Sequence, residues 1–344
     1  MSDSHIAWRS PSNIAIVKYW GKKTGQIPQN PSLSFTLSRA FTDTRITYTP
    51  GRGVISFRFS GEENPAFAKR IQNYLNAISQ FLPHLPQWDL SIDSTNSFPH
   101  SAGIASSASS MSALVLGLVE MEYRLLDLGD DQEAFLNRAS FLSRLASGSA
   151  SRSVYGHAAM WGKHKDFMSS SDQYAIPVKD IHPKFMNYQD TIIIVHSGVK
   201  AVSSSAGHNL MENHPFASAR YAQANKNMNE LMHALSQGDL EHFGIIAEEE
   251  AMTLHALMMC SRPSYTLMKP ATLTWIEAVR TFRKETSLPL YFTLDAGPNL
   301  HLLYPADVSE PIKQWLDHQL SLHRDENYQV LFDAMGPGPE KLNT

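Results

Sequence analysis

Alternation dominates the first hundred residues. SLSFTL at 32–37, TRITYT at 44–49, VISFRF at 54–59 and WDLSID at 88–93 place apolar side chains at every second position, which predicts strands. Between the last two, NPAFAKRIQNYLNAISQFL carries Phe67, Ile71, Tyr74, Leu75 and Ile78 at helical spacing and stops at Pro83. Two more helices are expected, from Met111 to about Leu126 and from Gln132 to Leu145. The pattern then restarts. TIIIVHS at 191–197 reads as a buried strand, helical segments follow at about 217–236 and 239–258, and LYFTLDAGPNLHLLY at 290–304 reads as two strands around a turn at Ala296-Gly297-Pro298. YQVLFDAM is the last strand, ahead of Gly336-Pro337-Gly338-Pro339. Strands and helices mix without strict alternation, which predicts an α+β chain rather than a doubly wound sheet, with a domain boundary near residue 188.

Composition narrows the function classes. The 344 residues are 42% hydrophobic and 18% charged, an ordinary globular balance with room for two domains. A single cysteine, Cys260, excludes an intrachain disulfide or a cysteine-based metal cluster. The N-terminus lacks the apolar core of a signal peptide, and no apolar run approaches the roughly 18 residues of a membrane span, so a cytoplasmic protein without membrane partners is expected. With 29 basic and 33 acidic side chains the formal charge is −4, which offers no basic surplus to a nucleic acid. The 15 histidines form no His-Glu-x-x-His pattern. An anionic ligand would need local positive charge.

One stretch demands an explanation. FPHSAGIASSASSMSALVLG, residues 98–117, crowds small polar residues into the mouth of a helix. A helix start leaves unpaired N–H groups and partial positive charge, which serine caps or a phosphate can satisfy. Gly103 permits close approach of an anion, and Ser106 and Ser107 can donate hydroxyl hydrogen bonds or ligate Mg²⁺. No lysine follows, so this is not a Walker loop. On the residues alone, a capped core helix and a phosphate cradle both stand.

Five further segments decide the matter by resemblance. Pro99-x-x-x-Gly103-Ile104-x-Ser106-Ser107-Ala108 resembles the phosphate-binding motif of the GHMP kinase superfamily, and FPHSAGIASSAS is closest to its diphosphomevalonate decarboxylases. NIAIVKYWGKK (13–23) with PQNPSLSFTL (28–37), SGSASRS (147–153), VSSSAGHNLM (202–211), FTLDAGPN (292–299) and VLFDAMGPGPEK near the end resemble segments of the same family in the same order. There are departures: Ser151 stands where cysteine is usual, His208 where methionine is usual, and a few residues are missing before Ser147.

The resemblance implies a two-domain GHMP kinase fold (an S5-like N-terminal domain at 1–188 and a ferredoxin-like C-terminal domain at 189–344). It also implies ATP-dependent decarboxylation of mevalonate 5-diphosphate to isopentenyl diphosphate, with Mg²⁺, in a homodimer. Asp295 would face the C3 hydroxyl, Lys18 would organise that carboxylate, and Arg152 would grip the substrate carboxylate through its planar fork. Tyr19, Lys22, Arg70, Ser147 and Ser149 would contact substrate phosphates. Gly103, Ser106 and Ser107 would hold the ATP phosphates, Ser107 would ligate the metal, and Ser204 and Ser205 would touch nucleotide. The alternatives are a mevalonate 5-phosphate decarboxylase or a related small-molecule kinase.

Overall fold

The computed structural model describes residues 4–98, 104, 106–196 and 204–343. In chain order its strands are β1 (Ser4–Val17), β2 (Ser32–Pro50), β3 (Ile55–Phe59), β4 (Glu62–Glu63), β5 (Trp88–Asn96), β6 (Ala158–Trp161), β7 (Ile176–Pro177), β8 (Gln189–Ile194), β9 (Tyr291–Thr293), β10 (Leu300–Tyr304), β11 (Gln329–Ala334) and β12 (Glu340–Lys341). The helices are α1 (Pro65–Ala77), α2 (Ser106–Leu126), α3 (Gln132–Ala146), α4 (Ser204–Asn209), α5 (Ala217–Gln237), α6 (Leu240–Met259), α7 (Pro270–Thr286) and α8 (Ser309–Leu322). A larger sheet runs β12-β1-β2-β5-β3-β4, with β6 and β7 attached beside β2. A smaller antiparallel sheet runs β11-β8-β10-β9. None of the described helices is long and apolar enough to cross a membrane.

The expected strands at 32–37 and 44–49 are one strand, β2. Its ladder with β1 jumps between Pro11↔Phe41 and Asn13↔Thr36, which leaves residues 37–40 bulged out of register. The Asp333 carboxylate fills that gap, accepting the N–H groups of Ser38, Arg39 and Ala40 at 2.8 Å each. A buried acceptor from β11 therefore bends β2 instead of ending it. β1 itself did not stand out in the pattern. Ser10, Ser12 and Asn13 are all buried in it, so its polar letters do not mark solvent-facing positions. Helices α7 and α8 also go beyond the expected elements. Thr272, Trp275, Ile276, Val279 and Phe282 give α7 its buried face.

Helix α2 lies across the larger sheet, its Val115, Leu118 and Val119 packed with Ile6, Ile46 and Phe57. A second core binds the two sheets together. Phe35 on β2 stacks on Phe243 of α6 at 5.3 Å, with Phe185 and Tyr188 on the same cluster beside Ile192 and Leu303. Each such aromatic contributes about 1.5–3 kcal/mol by leaving water. The tail is threaded between the sheets. Met335 donates to Tyr188 O at 2.8 Å and Gly336 to Thr36 O at 2.7 Å, before β12 pairs with β1 at Trp8 and Arg9.

Gly156 marks the tightest point of this closure, because a Cβ there would lie 2.1 Å from the Pro337 carbonyl oxygen. Gly156→Ala should therefore lower stability by about 1–3 kcal/mol through overpacking against backbone. A denaturant midpoint equal to that of the parent chain would contradict the tight docking of the tail.

Candidate active site

Lys18 is the first residue beyond β1 and is buried, 2% exposed. Its Nζ donates to Ala15 O and, at 3.0 Å, to Asp295 Oδ1. Asp295 sits in the β9–β10 connection, where several bonds hold the loop. Gly297 N–H donates to Asp295 O at 2.7 Å, and His255 Nε2 donates to the same carbonyl at 3.1 Å. Asn299 Oδ1 accepts from Val195 and His196, and Thr272 Oγ1 donates to Pro298 O at 2.7 Å.

Arg152 follows a short 3₁₀ turn, Gly148–Ser151, and is equally buried. Its Nε donates to Ser34 Oγ and its Nη1 to Ser32 Oγ at 2.6 Å, both on β2, while the guanidinium lies 5.8 Å from the Trp161 ring centre. The plane of the fork is thus set before any carboxylate arrives. Burial pushes Arg152 down to about 10, with Asp295 pulling the other way. Burial lowers Lys18 as well, again opposed chiefly by Asp295. Two dry cations around one carboxylate leave positive potential for an anion.

The serines of the turn converge on the start of α2. Ser147 Oγ lies 3.5 Å from Ser107 Oγ and 3.4 Å from Ser149 Oγ. Asn13 on β1 steadies this row by donating to Ser149 O at 3.1 Å and Ser153 Oγ at 2.7 Å. The residues missing before Ser147 leave no spacer. Ser147 N–H closes α3 on Ser143 O, and the 3₁₀ turn begins at once. Ser151, in the cysteine position, is fully buried and donates to Gly148 O.

Tyr19 packs between Trp161 at 4.7 Å and His208 at 4.3 Å, and its buried hydroxyl has no hydrogen-bond partner among the described residues. A buried orphan donor of this kind suits a ligand oxygen. Lys22 donates to Gln26 at 3.1 Å and lines a cavity of about 680 Å³ with Lys23, Gln29, His208, Glu212 and Tyr221. Partial burial lowers its pKa. Ser205 is exposed on α4, which Ser204 opens. Ser106 is half-buried at the start of α2. Arg70 is exposed on α1 above the Phe67 ring, and no contact joins it to the Lys18–Asp295 pair among the described residues. Gly103 lies outside the described residues.

Some members of the site were not read from the sequence. Glu250 Oε2 accepts the Lys18 N–H at 2.8 Å, while Arg220 and Asn30 donate to Lys18 O at 3.1 and 3.0 Å. The signal was faint: Glu250 ends a Glu-Glu-Glu run between the apolar stretches FGIIA and AM of one helix, where a fully buried carboxylate needs a partner.

A lysine-steadied aspartate and a hydroxyl-lined helix start, carried on a larger and a smaller sheet, fit the two-domain α+β GHMP kinase fold that the sequence motifs imply. The comparisons narrow the class. Residues 10–175 match the model of the diphosphomevalonate decarboxylase-like N-terminal domain, and 191–337 that of the mevalonate 5-diphosphate decarboxylase C-terminal domain. The chain is 30% identical over 322 residues to diphosphomevalonate decarboxylase of Saccharomyces cerevisiae, covering 87% of this chain and 77% of that one. Among solved structures, mevalonate diphosphate decarboxylase from Staphylococcus aureus is 28% identical with a TM-score of 0.85 over 99% of both chains. A complex of MDDEF with MVAPP, AMPPCP and magnesium is 29% identical with a TM-score of 0.82 over 100% of both. The chain belongs to the diphosphomevalonate decarboxylase family.

Two buried histidines give the site an acid limit. Burial pushes His255 down to about 4 and His208 down to about 3, the latter also because of Lys22. Unfolded imidazoles protonate near pH 6.5, so the unfolded chain binds more protons below that value and stability falls as pH drops from about 6.5 toward 4. His208→Met should flatten this fall. An identical slope of unfolding free energy against pH in that window would show that His208 is not held neutral.

Proposed function

We propose that this protein converts mevalonate 5-diphosphate and ATP to isopentenyl diphosphate, ADP, phosphate and CO₂. The observation that carries the reading is the 3.0 Å Lys18–Asp295 pair, with Arg152 close enough to feel the same carboxylate. The reading includes the expected division near residue 188, a cytoplasmic location and a homodimer. The division is supported by the pairing of β8, β9, β10 and β11 in a sheet of their own, although β12 returns to β1. The location rests on the apolar pattern of the sequence and the homodimer on the family resemblance.

In this reading Asp295 orients or deprotonates the tertiary C3 hydroxyl for attack on the terminal phosphoryl group of ATP, a transfer governed by alignment and charge neutralisation. Lys18 keeps Asp295 ionised. The hydroxyls of Ser106 and Ser107, with the Gly103 backbone and Ser204 and Ser205, take the nucleotide phosphates. The row Ser107–Ser147–Ser149 offers hard oxygen donors that fit Mg²⁺ alongside phosphate oxygens, with Ser107 as its protein ligand; the ion would neutralise phosphate charge. Tyr19, Lys22, Arg70, Ser147 and Ser149 hold the substrate diphosphate. Once C3 carries phosphate, its C–O bond breaks, the C1–C2 bond releases CO₂, and that electron pair forms the C2=C3 double bond. Arg152, locked by Ser32 and Ser34, aligns the departing carboxylate.

Incubation with ATP and mevalonate 5-diphosphate should release ADP and CO₂ in equal amounts. ADP alone would make the protein a kinase, and turnover confined to mevalonate 5-phosphate would replace the substrate. Asp295→Asn should lower kcat by about 10²–10⁴ while ATP still binds. Arg152→Lys, which keeps the charge but not the fork, should lower it by about 10². Near-parental rates in either variant would remove the role assigned to that residue.

A further inference from the structure

β1 ends at Val17, so the peptide groups of Lys18 have left the sheet ladder while still buried. A buried backbone donor or acceptor needs a partner. Here Asn30, which donates to the carbonyl at 3.0 Å, and side chains from the other half of the chain supply it. Glu250 on α6 is 0% exposed and accepts the Lys18 N–H. Arg220 on α5, also buried, donates to the Lys18 carbonyl while both its terminal nitrogens grip Glu250, at 2.7 and 2.6 Å. Asn227 donates to the remaining side of Glu250 Oε1 at 2.8 Å. The carboxylate is thereby anchored by three side-chain bonds before it touches Lys18.

We propose that Glu250, anchored by Arg220 and Asn227, is a positioning residue that sets the place and charge of Lys18 against Asp295. The proposal rests on the decarboxylase reading above. Position follows from geometry: with its N–H and C=O both held, Lys18 has only its side-chain torsions left, and these end on Asp295. Charge follows from the neighbourhood. Lys18 is faced by Asp295 from the β9–β10 connection, Glu250 and His255 from α6, Arg220 from α5, and Arg152 from the turn after α3. His255 is neutral above about pH 4. Glu250 and Asp295 are the two anions that offset burial and keep the ammonium protonated. The buried ion pair thus acts on catalysis through a lysine that it touches only at the backbone.

Glu250→Gln keeps the shape and an acceptor oxygen but deletes the charge. Its kcat should fall about tenfold, with KM for both substrates within about twofold. The alkaline limb of kcat/KM against pH, which reports loss of the Lys18 proton in the free enzyme, should move down by about half a pH unit or more. Glu250→Asp should return the limb to its parental place. A purely structural glutamate would lower the melting temperature and leave the limb fixed, and that result overturns the proposal. If Glu250→Gln does not fold, Asn227→Leu loosens Glu250 with the ion pair intact. It should lower kcat about threefold at unchanged KM, and a parental kcat there overturns the proposal equally. Absence of CO₂ release by the parent enzyme would instead undo the decarboxylase reading before any variant is compared.

Discussion

The docking of the two sheets converges on one contact, the Lys18–Asp295 ion pair. Its partners are 277 positions apart, one at the end of the first strand and the other in a hairpin of the second sheet. Neither half of the chain holds the pair alone. Everything that docks one sheet against the other, from the Phe35–Phe243 stack to the Asp333 carboxylate in the β2 bulge, also fixes the separation of this lysine and this aspartate.

Burying so much charge is unfavourable unless each group is paired and hydrogen-bonded. Lys18, Arg152 and Arg220 are set against Asp295 and Glu250 within one connected cluster. The serines of β2 and the carbonyl of Ala15 accept from Arg152 and Lys18, while the buried Nε of Arg220 has no hydrogen-bond partner among the described residues. Three positive groups against two negative leave one unit of charge uncompensated. That surplus is local, inside a chain whose formal charge is −4. An acidic protein can therefore present a cationic pocket to a polyanionic substrate without a basic surface.

Much of this was legible in the sequence, and the reason is short-range. Lys18, Arg152, Ser147, Ser149 and Asp295 lie in compact motifs that resemble those of one family, and the resemblance, not the residue types alone, assigned their roles. Most strands and helices followed from periodicity of 2 or 3.6. β1 did not stand out because Ser10, Ser12 and Asn13 are polar yet buried, and β2 appeared divided because its bulge is healed by Asp333, almost 300 positions downstream. Glu250 and Arg220 left at most a faint trace for a related reason. Their partner is the backbone of Lys18, 232 and 202 positions away, and no side-chain pattern records a backbone partner. Arg70, read from its motif, stands on the exposed face of α1, where periodicity alone would put a solvated arginine.

The central claim is that Lys18 and Asp295 work as one unit, and a double-mutant cycle on kcat/KM tests it most directly. If the lysine acts only by holding and ionising the aspartate, Lys18→Met added to Asp295→Asn should reduce activity no further than the worse single change. Losses that multiply, each substitution exacting its full penalty in the absence of the other, would contradict the account.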